Sequence, residues 1–480
     1  MADSTPSTAK AIDRKTRLSI PPQPVPKQDP KQRVHNWDEV YLGYALPTAR
    51  LEASRCIQCP AAPCQKACPL HNDIPGALLK LEGGDVLGAA EVFRRTSPAP
   101  NMCGRLCPQE SLCEGDCVVG KKAIPVAIGK LEAFIADYQR DNGGRPLPDL
   151  PPSTGKRVAV IGSGPAGLAA AEALAQRGHG VKVFEAWPEP GGVLHYGIPN
   201  FKMNKRHVDD QVDYLHQLGV QFVCNVRVGD DISIDEMFTQ GFHAVFLGHG
   251  AGQGSRLGVP GEDLAGAYMA TNFLVRVNLA PEELPPQLRE PIEVGRRVVV
   301  IGGGDTAMDC VRSAVRAGAK EVYCVYRRTE AEMPGRQDER RHAKEEGVQF
   351  IFLAAPIRLV SDNGHRVHVV HFQRMELGPP DASGRPRPVP IIGSEFEIRA
   401  DTVVIAIGYK VESLLFQTTL GLEATGWGTV AADESGRTSR EGVFAGGDNV
   451  RGADLVVTAL ADAKRAAQAI DEYLRSKCNA

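Results

Sequence analysis

Arg157-Val158-Ala159-Val160-Ile161-Gly162-Ser163-Gly164-Pro165-Ala166-Gly167 decides how this chain folds. A short apolar run without alternation reads as a strand buried on both faces, and such strands belong to parallel sheets covered by helices. The strand leads straight into glycines and an Ala-rich helical stretch, and Glu185 ends the next strand 23 residues after Gly162. This is the dinucleotide fingerprint. The first glycine permits a tight turn, the second lets backbone approach a pyrophosphate, and the third lets helix pack on strand. Gly162, Gly164, Pro165, Ala166 and Gly167 are read as one phosphate cradle, and Glu185 as the acceptor for ribose hydroxyls.

Working outward, the pattern returns at Arg297 to Ile301, followed by Gly302, Gly303, Gly304, Asp305, Thr306 and Ala307. Alanine in the third glycine's place is compatible with the motif. Two copies predict two Rossmann-like dinucleotide-binding domains, hence an α/β fold. The copies differ at the end of the second strand, where Tyr326 stands at the position matching Glu185 and Arg327 and Arg328 follow it. A carboxylate would repel a 2′-phosphate, whereas arginine clamps one through charge-assisted hydrogen bonds. The second cradle is therefore expected to prefer NADPH over NADH; the alternative is two solvated arginines at a strand end.

Before Lys156 the composition changes. Eight of the 12 cysteines fall between Cys56 and Cys117, while Cys224, Cys310, Cys324 and Cys478 are scattered singly and read as inert thiols. The spacings are Cys56-x2-Cys59-x4-Cys64-x3-Cys68 and Cys103-x3-Cys107-x5-Cys113-x3-Cys117, threaded through helical patterns such as Ile74 to Leu81 and Ile128 to Tyr138. Met1 to Pro30 is polar, without the apolar core of a secretion signal, and no run reaches about 18 apolar residues. The chain is accordingly expected to be soluble and cytoplasmic, where thiols stay reduced and clustered cysteines ligate metal. Zn²⁺ and iron–sulfur clusters both accept four thiolates. A two-nucleotide oxidoreductase needs an electron outlet, which redox-inert zinc would not supply, and no Cys-Cys pair near the cradles offers a dithiol relay. Two [4Fe–4S] clusters are therefore expected.

The net charge of −3 gives no global attraction to nucleic acid or an anionic membrane. The first 36 residues carry seven Lys/Arg against three Asp, which reads as a solvated tail or as a docking arm. The expected organisation is a 1–40 arm, a 41–150 helical domain with the clusters, and two dinucleotide domains from 151 onward.

Taken together, Arg55-Cys56-Ile57-Gln58-Cys59, Cys103-Gly104-Arg105-Leu106-Cys107-Pro108, Gly191 to Pro199, Gly302 to Cys310 and Val450-Arg451-Gly452-Ala453 resemble the small (β) subunit of NADPH-dependent glutamate synthase. The architecture is also similar to the large subunit of the electron-bifurcating ferredoxin:NADP transhydrogenase and the amino-terminal half of dihydropyrimidine dehydrogenase. The resemblance implies FAD on the first cradle, with Gly192, Val193 and Leu194, the late Gly447-Asp448 turn and Thr458 of the following helix as further contacts, and it implies a split FAD domain, 151–265 and 409–480, with the NADPH domain, 266–408, inserted in it at crossings Val245 to Ala251 and Val403 to Tyr409. It implies NADPH on Gly302, Gly304, Asp305, Thr306, Ala307, Arg327 and Arg328, with hydride transfer to N5 of FAD. It also implies crosswise ligation: Cys56, Cys59, Cys64 and Cys117 for one cluster, and Cys68, Cys107 and Cys113 for the other. Glu132, in Gly129-Lys130-Leu131-Glu132, competes with Cys103 for the eighth ligand. Electrons would leave for a large glutamine-dependent FMN subunit, or, in the transhydrogenase reading, for a small flavin and [2Fe–2S] subunit. A zinc-stabilised nucleotide-binding scaffold is the alternative of another class.

Overall fold

The computed structural model describes residues 13–362, 364–381 and 384–477. The chain divides into two compact units, one holding the described residues up to Lys27 with Tyr41–Pro146, the other Gln28–Val40 and the described residues from Leu147 onward.

The first unit is helical. Leu46–Ala53, Ile74–Gly83, Val86–Arg94, Pro100–Leu106 and Ile128–Asp141 are its main helices. Asp73 and Asp85 start two of them by accepting from the Gly76 and Gly88 amides at 3.0 and 2.9 Å, bonds that satisfy otherwise unpaired first-turn donors. Ala49, Ala77, Leu78, Leu81, Phe93 and Leu131 fill the core. The short helix Arg14–Ser19 belongs to this unit. Buried Arg17 donates to the Ser54 and Cys56 carbonyls, both at 3.0 Å, and pairs with Glu82 at 2.6 Å.

In the second unit, the first sheet is all parallel, in the order Val443–Ala445, Ala244–Leu247, Arg157–Ile161, Gly180–Phe184, Gln221–Val223. The second is also all parallel, in the order Ala267–Met269, Thr402–Ile405, Arg297–Ile301, Glu321–Tyr326, Gln349–Phe352. Its strands all lie between Leu247 and Val443 in sequence, so one Rossmann-like fold is inserted in the other, as the resemblance implies. The chain passes into the inserted fold at Gln253–Gly254 and out at Tyr409–Lys410, and these two segments pair antiparallel. A three-stranded antiparallel sheet, Ala354–Ser361, Val367–Pro380 and Pro386–Arg399, precedes the last strand of the inserted fold. Sequence periodicity did not anticipate it, because Pro386, Pro388 and Pro390 argue against a strand except at a sheet edge, which is where Pro386–Arg399 lies. Among the described residues no helix is long and apolar enough to cross a membrane.

The stretch read as a solvated or docking arm is divided. Arg17 is built into the helical unit and Arg33 into the other, each buried against carboxylates distant in sequence; residues 1–12 lie outside the described residues. Local charge cannot distinguish a solvated arginine from one whose partner arrives through tertiary structure.

Candidate functional site

In the helical unit four sulfurs come together from three turns. Cys56 and Cys59 follow the helix Leu46–Ala53, Cys64 lies in Pro63–Ala67, and Cys117 precedes Val118–Lys121. They line one pocket whose other walls are apolar, including Ile74, Leu78, Val119, Val126 and Ile128. Burial raises Cys56 to about 11 and Cys64 to about 12. Such thiols keep their protons at neutral pH unless a cation bound among them stabilises the thiolates. Among the described residues no three His, Cys, Asp or Glu side chains converge on the position of a single metal ion. Four thiols lining one pocket supply the number of thiolates that a [4Fe–4S] cluster takes.

Cys68, Cys103, Cys107, Cys113 and Glu132 form a second group. Burial raises Cys68 to about 11, and negative charge on Glu132 and Cys103 adds to the effect. Cys113 is pushed well above the usual thiol range by burial and then by Glu114, Glu132 and Cys68. Glu132 projects from Ile128–Asp141, and burial followed by Cys103 lifts its carboxyl well above the ordinary value against the pull of Arg94. Asn72 Nδ2 donates to Glu132 Oε1 at 3.3 Å. Cys103 and Cys107, a helical turn apart, are hydrogen-bonded, and Ser97 Oγ lies 4.0 Å from Cys103 Sγ. Five candidate ligands thus stand where a cluster takes four.

The first cradle has the shape of a phosphate site. Gly162 has φ +89°, and a Cβ there would stand 2.7 Å from the Gly248 carbonyl oxygen. Gly164 caps the helix Pro165–Ala175 with no side-chain hydrogen bond, leaving first-turn amides for a ligand. Gly192 faces Gly164, its Cα 4.0 Å from where a Gly164 Cβ would be. Val193 is exposed beside it, whereas Leu194 and Ala166 are buried in protein. Glu185 accepts from the Ser163 amide at 3.0 Å, from the Ser163 hydroxyl and from the Trp187 amide at 2.9 Å. The carboxylate is thereby fixed in orientation, with acceptor capacity remaining. Gly447, at φ +85°, approaches Ala166 so closely that a Cβ would lie 2.9 Å from the Ala166 Cβ. Asp448 follows it, raised to about 6 by burial and by Asp454 and Asp462. Thr458 Oγ1 accepts from the Leu455 amide at 3.2 Å and donates to its carbonyl at 2.7 Å, so that hydroxyl is engaged in starting the helix Val456–Ser476.

At the second cradle Gly304 caps Asp305–Arg316, again with no side-chain bond. Ala307 is buried, and Thr306 hydrogen-bonds Tyr409. Asp305 accepts from the Arg336 amide at 3.2 Å. Lys202 Nζ, from the loop following Gly191 to Pro199, pairs with Asp309 at 2.7 Å. Gly302 lies in the same turn, its carbonyl 3.4 Å from buried Cys324 Sγ. The two arginines point to different fates. Arg327 is exposed and has no hydrogen bond or ion pair among the described residues, whereas Arg328 is 2% exposed, its Nε donating to the Pro386 carbonyl at 2.7 Å and its Nη2 to Asp381 at 2.6 Å. Sequence reasoning missed Arg17, Lys202 and Lys205. Only the last two carried a signal, as basic residues just beyond the Gly191 to Pro199 motif.

Residues 33–144 match the 4Fe–4S cluster domain II of dihydropyrimidine dehydrogenase, and residues 156–463 match the pyridine nucleotide-disulphide oxidoreductase family. The glutamate synthase [NADPH] small chain of Halomonas elongata is 41% identical over 461 residues, 94% of this chain and 97% of that protein. The putative oxidoreductase AegA of Escherichia coli (strain K12) is 42% identical over 456 residues, 93% of this chain and 68% of that protein. FprA from Mycobacterium tuberculosis superposes with a TM-score of 0.58 at 23% identity over 68% of this chain and 86% of its own, which shows a shared fold.

Proposed function

The chain belongs to the glutamate synthase small-chain family of NADPH-dependent flavin and iron–sulfur oxidoreductases, and on that premise we propose which residues serve each cofactor and which partner takes the electrons. When bound, FAD accepts a hydride from NADPH, and two [4Fe–4S] clusters carry the electrons onward singly. The open amides at the Pro165–Ala175 amino terminus, with Gly164, Gly192 and Gly447, hold the FAD pyrophosphate and ribityl chain, and Glu185 holds the adenosine ribose. The amides at Asp305–Arg316 hold the NADPH pyrophosphate, and Arg327 meets the 2′-phosphate. Cys56, Cys59, Cys64 and Cys117 hold one cluster; Cys68, Cys107, Cys113 and Glu132 hold the other. No side chain has to exchange a proton for hydride transfer, so the protein's work is binding and orientation.

The acceptor we propose is the glutamine-dependent large subunit of glutamate synthase. The observation that carries this reading is the small-chain match, which spans nearly the whole of both proteins. The test is native co-purification followed by assay. The chain alone should reduce dyes with NADPH and make no glutamate from glutamine and 2-oxoglutarate, and adding the large subunit should start NADPH-dependent glutamate formation. Glutamate made by the chain alone, or no stimulation by the large subunit, refutes the reading.

A further inference from the structure

Gln28–Val40 lies between two stretches of the helical unit in sequence, yet it is part of the unit that carries both dinucleotide folds. Its side chains engage both folds. On the inserted fold, Arg33 is fully buried, its Nε 2.7 Å from Glu346 Oε1 and its Nη2 2.8 Å from Glu345 Oε2. Glu346 is held from its other side by Arg312 at 2.9 Å and Arg316 at 2.7 Å, and Arg316 Nε also donates to the Asn36 carbonyl at 3.0 Å. Arg312 and Arg316 belong to the helix that opens at the Gly302 cradle.

On the first fold, the Val40 amide donates to the Phe201 carbonyl at 2.9 Å, and Trp37 stacks on the Phe201 ring with centroids 6.1 Å apart. Glu39 Oε1 accepts from the Asn204 amide at 2.7 Å and lies 3.2 Å from His207 Nε2. Phe201 is where the two ends meet, because the Arg316 and Arg312 guanidinium groups stand 4.0 and 4.4 Å from its ring centroid. The turn then continues to Lys205, whose Nζ donates to the carbonyls of Leu194, at 3.1 Å, and Ile198. These carbonyls belong to the loop that faces Gly164. A series of buried and half-buried contacts therefore runs from the cradle helix of the inserted fold, through the segment, to the loop beside the first cradle.

We propose that Gln28–Val40 is a positioning clamp: Arg33 and Glu39 fix the NADPH fold against the FAD fold so that nicotinamide and flavin meet in register for hydride transfer. The proposal rests on the functional reading above. Hydride transfer is sensitive to displacements of about 1 Å. The segment adds ties at Glu346 and Asn204 to the crossings at Gln253–Gly254 and Tyr409–Lys410 and to direct contacts such as Lys202 to Asp309 at 2.7 Å, restricting hinge motion between the folds. Spatial continuity alone does not demonstrate coupling; a rate does. The clamp predicts a loss confined to the hydride step, since neither residue touches either cradle.

The experiment uses the full chain with its flavin and clusters, mixed with NADPH in a stopped-flow instrument. Arg33→Gln and Glu39→Gln should each lower the limiting rate of flavin bleaching by about tenfold while shifting half-saturating NADPH by less than about threefold. The charge-transfer absorbance of NADPH on oxidised flavin should weaken in parallel, and Arg33→Lys should recover part of the rate. Flavin content and cluster EPR signals should stay as in the wild type. Unchanged limiting rates overturn the clamp, as does a loss that appears only in half-saturation. If Arg33→Gln does not fold, Glu39→Gln decides, because its bonds are to the opposite fold. A wild-type flavin that NADPH fails to bleach would overturn the functional reading itself.

Discussion

Replacing Arg327 by alanine tests the nucleotide assignment most sharply, because its neighbour provides an internal control. Arg327 is exposed at the end of the strand Glu321–Tyr326, while Arg328 is buried and bonded to Asp381 and the Pro386 carbonyl. A single charge-assisted contact to a 2′-phosphate contributes about 1.5 to 3 kcal/mol, which is roughly a ten- to hundredfold change in half-saturation. The exposed position favours the lower end, since water screens the contact. Arg327→Ala should therefore raise KM for NADPH about tenfold and leave KM for NADH nearly as it was. Arg328→Ala removes a guanidinium that ties the strand end to the three-stranded sheet, leaving the Pro386 carbonyl without a donor. The cost should be about 1 to 3 kcal/mol of stability, seen as a lower Tm, with less loss of discrimination between the nucleotides. Steady-state kinetics with both nucleotides, alongside thermal melts, separate the two outcomes. Equal losses for NADPH and NADH in Arg327→Ala would refute the assignment. So would a selective NADPH loss in Arg328→Ala with unchanged Tm.

Further outcomes follow from the same geometry. Anaerobically purified protein should contain about eight iron and eight labile sulfide per chain, and stoichiometric zinc would overturn the cluster reading. Glu132→Ala should alter the EPR signal of one cluster and spare the other, with Cys103→Ala doing little; the reverse result assigns the ligand to Cys103. Gly447→Ala would put a methyl 2.9 Å from Ala166 at φ +85°, so it should release FAD on gel filtration, and retained flavin would count against that turn as a flavin contact. Burial would raise the Glu346 carboxyl, yet Arg312 and Arg316 hold it down at about 2. With its folded value below the usual 4.5, Glu346 contributes roughly 3 kcal/mol at neutral pH, lost as pH falls from about 4.5 to 2. Glu346→Gln should flatten that acid limb in pH-dependent denaturation; an unaltered limb would show that the buried arginines do not depend on this carboxylate.

The sequence alone determined the two parallel-sheet folds, because Arg157 to Ile161 and Arg297 to Ile301 are unbroken apolar runs ending in glycines, and that local pattern has few other solutions. It also placed eight thiols in one helical region, since that reading needs only spacing, whereas the role of the late Gly447-Asp448 turn came from the family resemblance. Tertiary structure decided what depends on partners remote in sequence. Arg17 and Arg33 look alike as charges in a polar leader, and only folding brings Glu82 to one and Glu346 to the other. Adjacent Arg327 and Arg328 are chemically identical, and only the strand Pro386–Arg399, with Asp381 before it, buries one and leaves the other to solvent. Which thiols share a cavity was likewise a matter of which turns pack together. Local propensity acts over a few residues, whereas a buried charge is stable only where folding delivers its counter-charge, and no local pattern records that delivery.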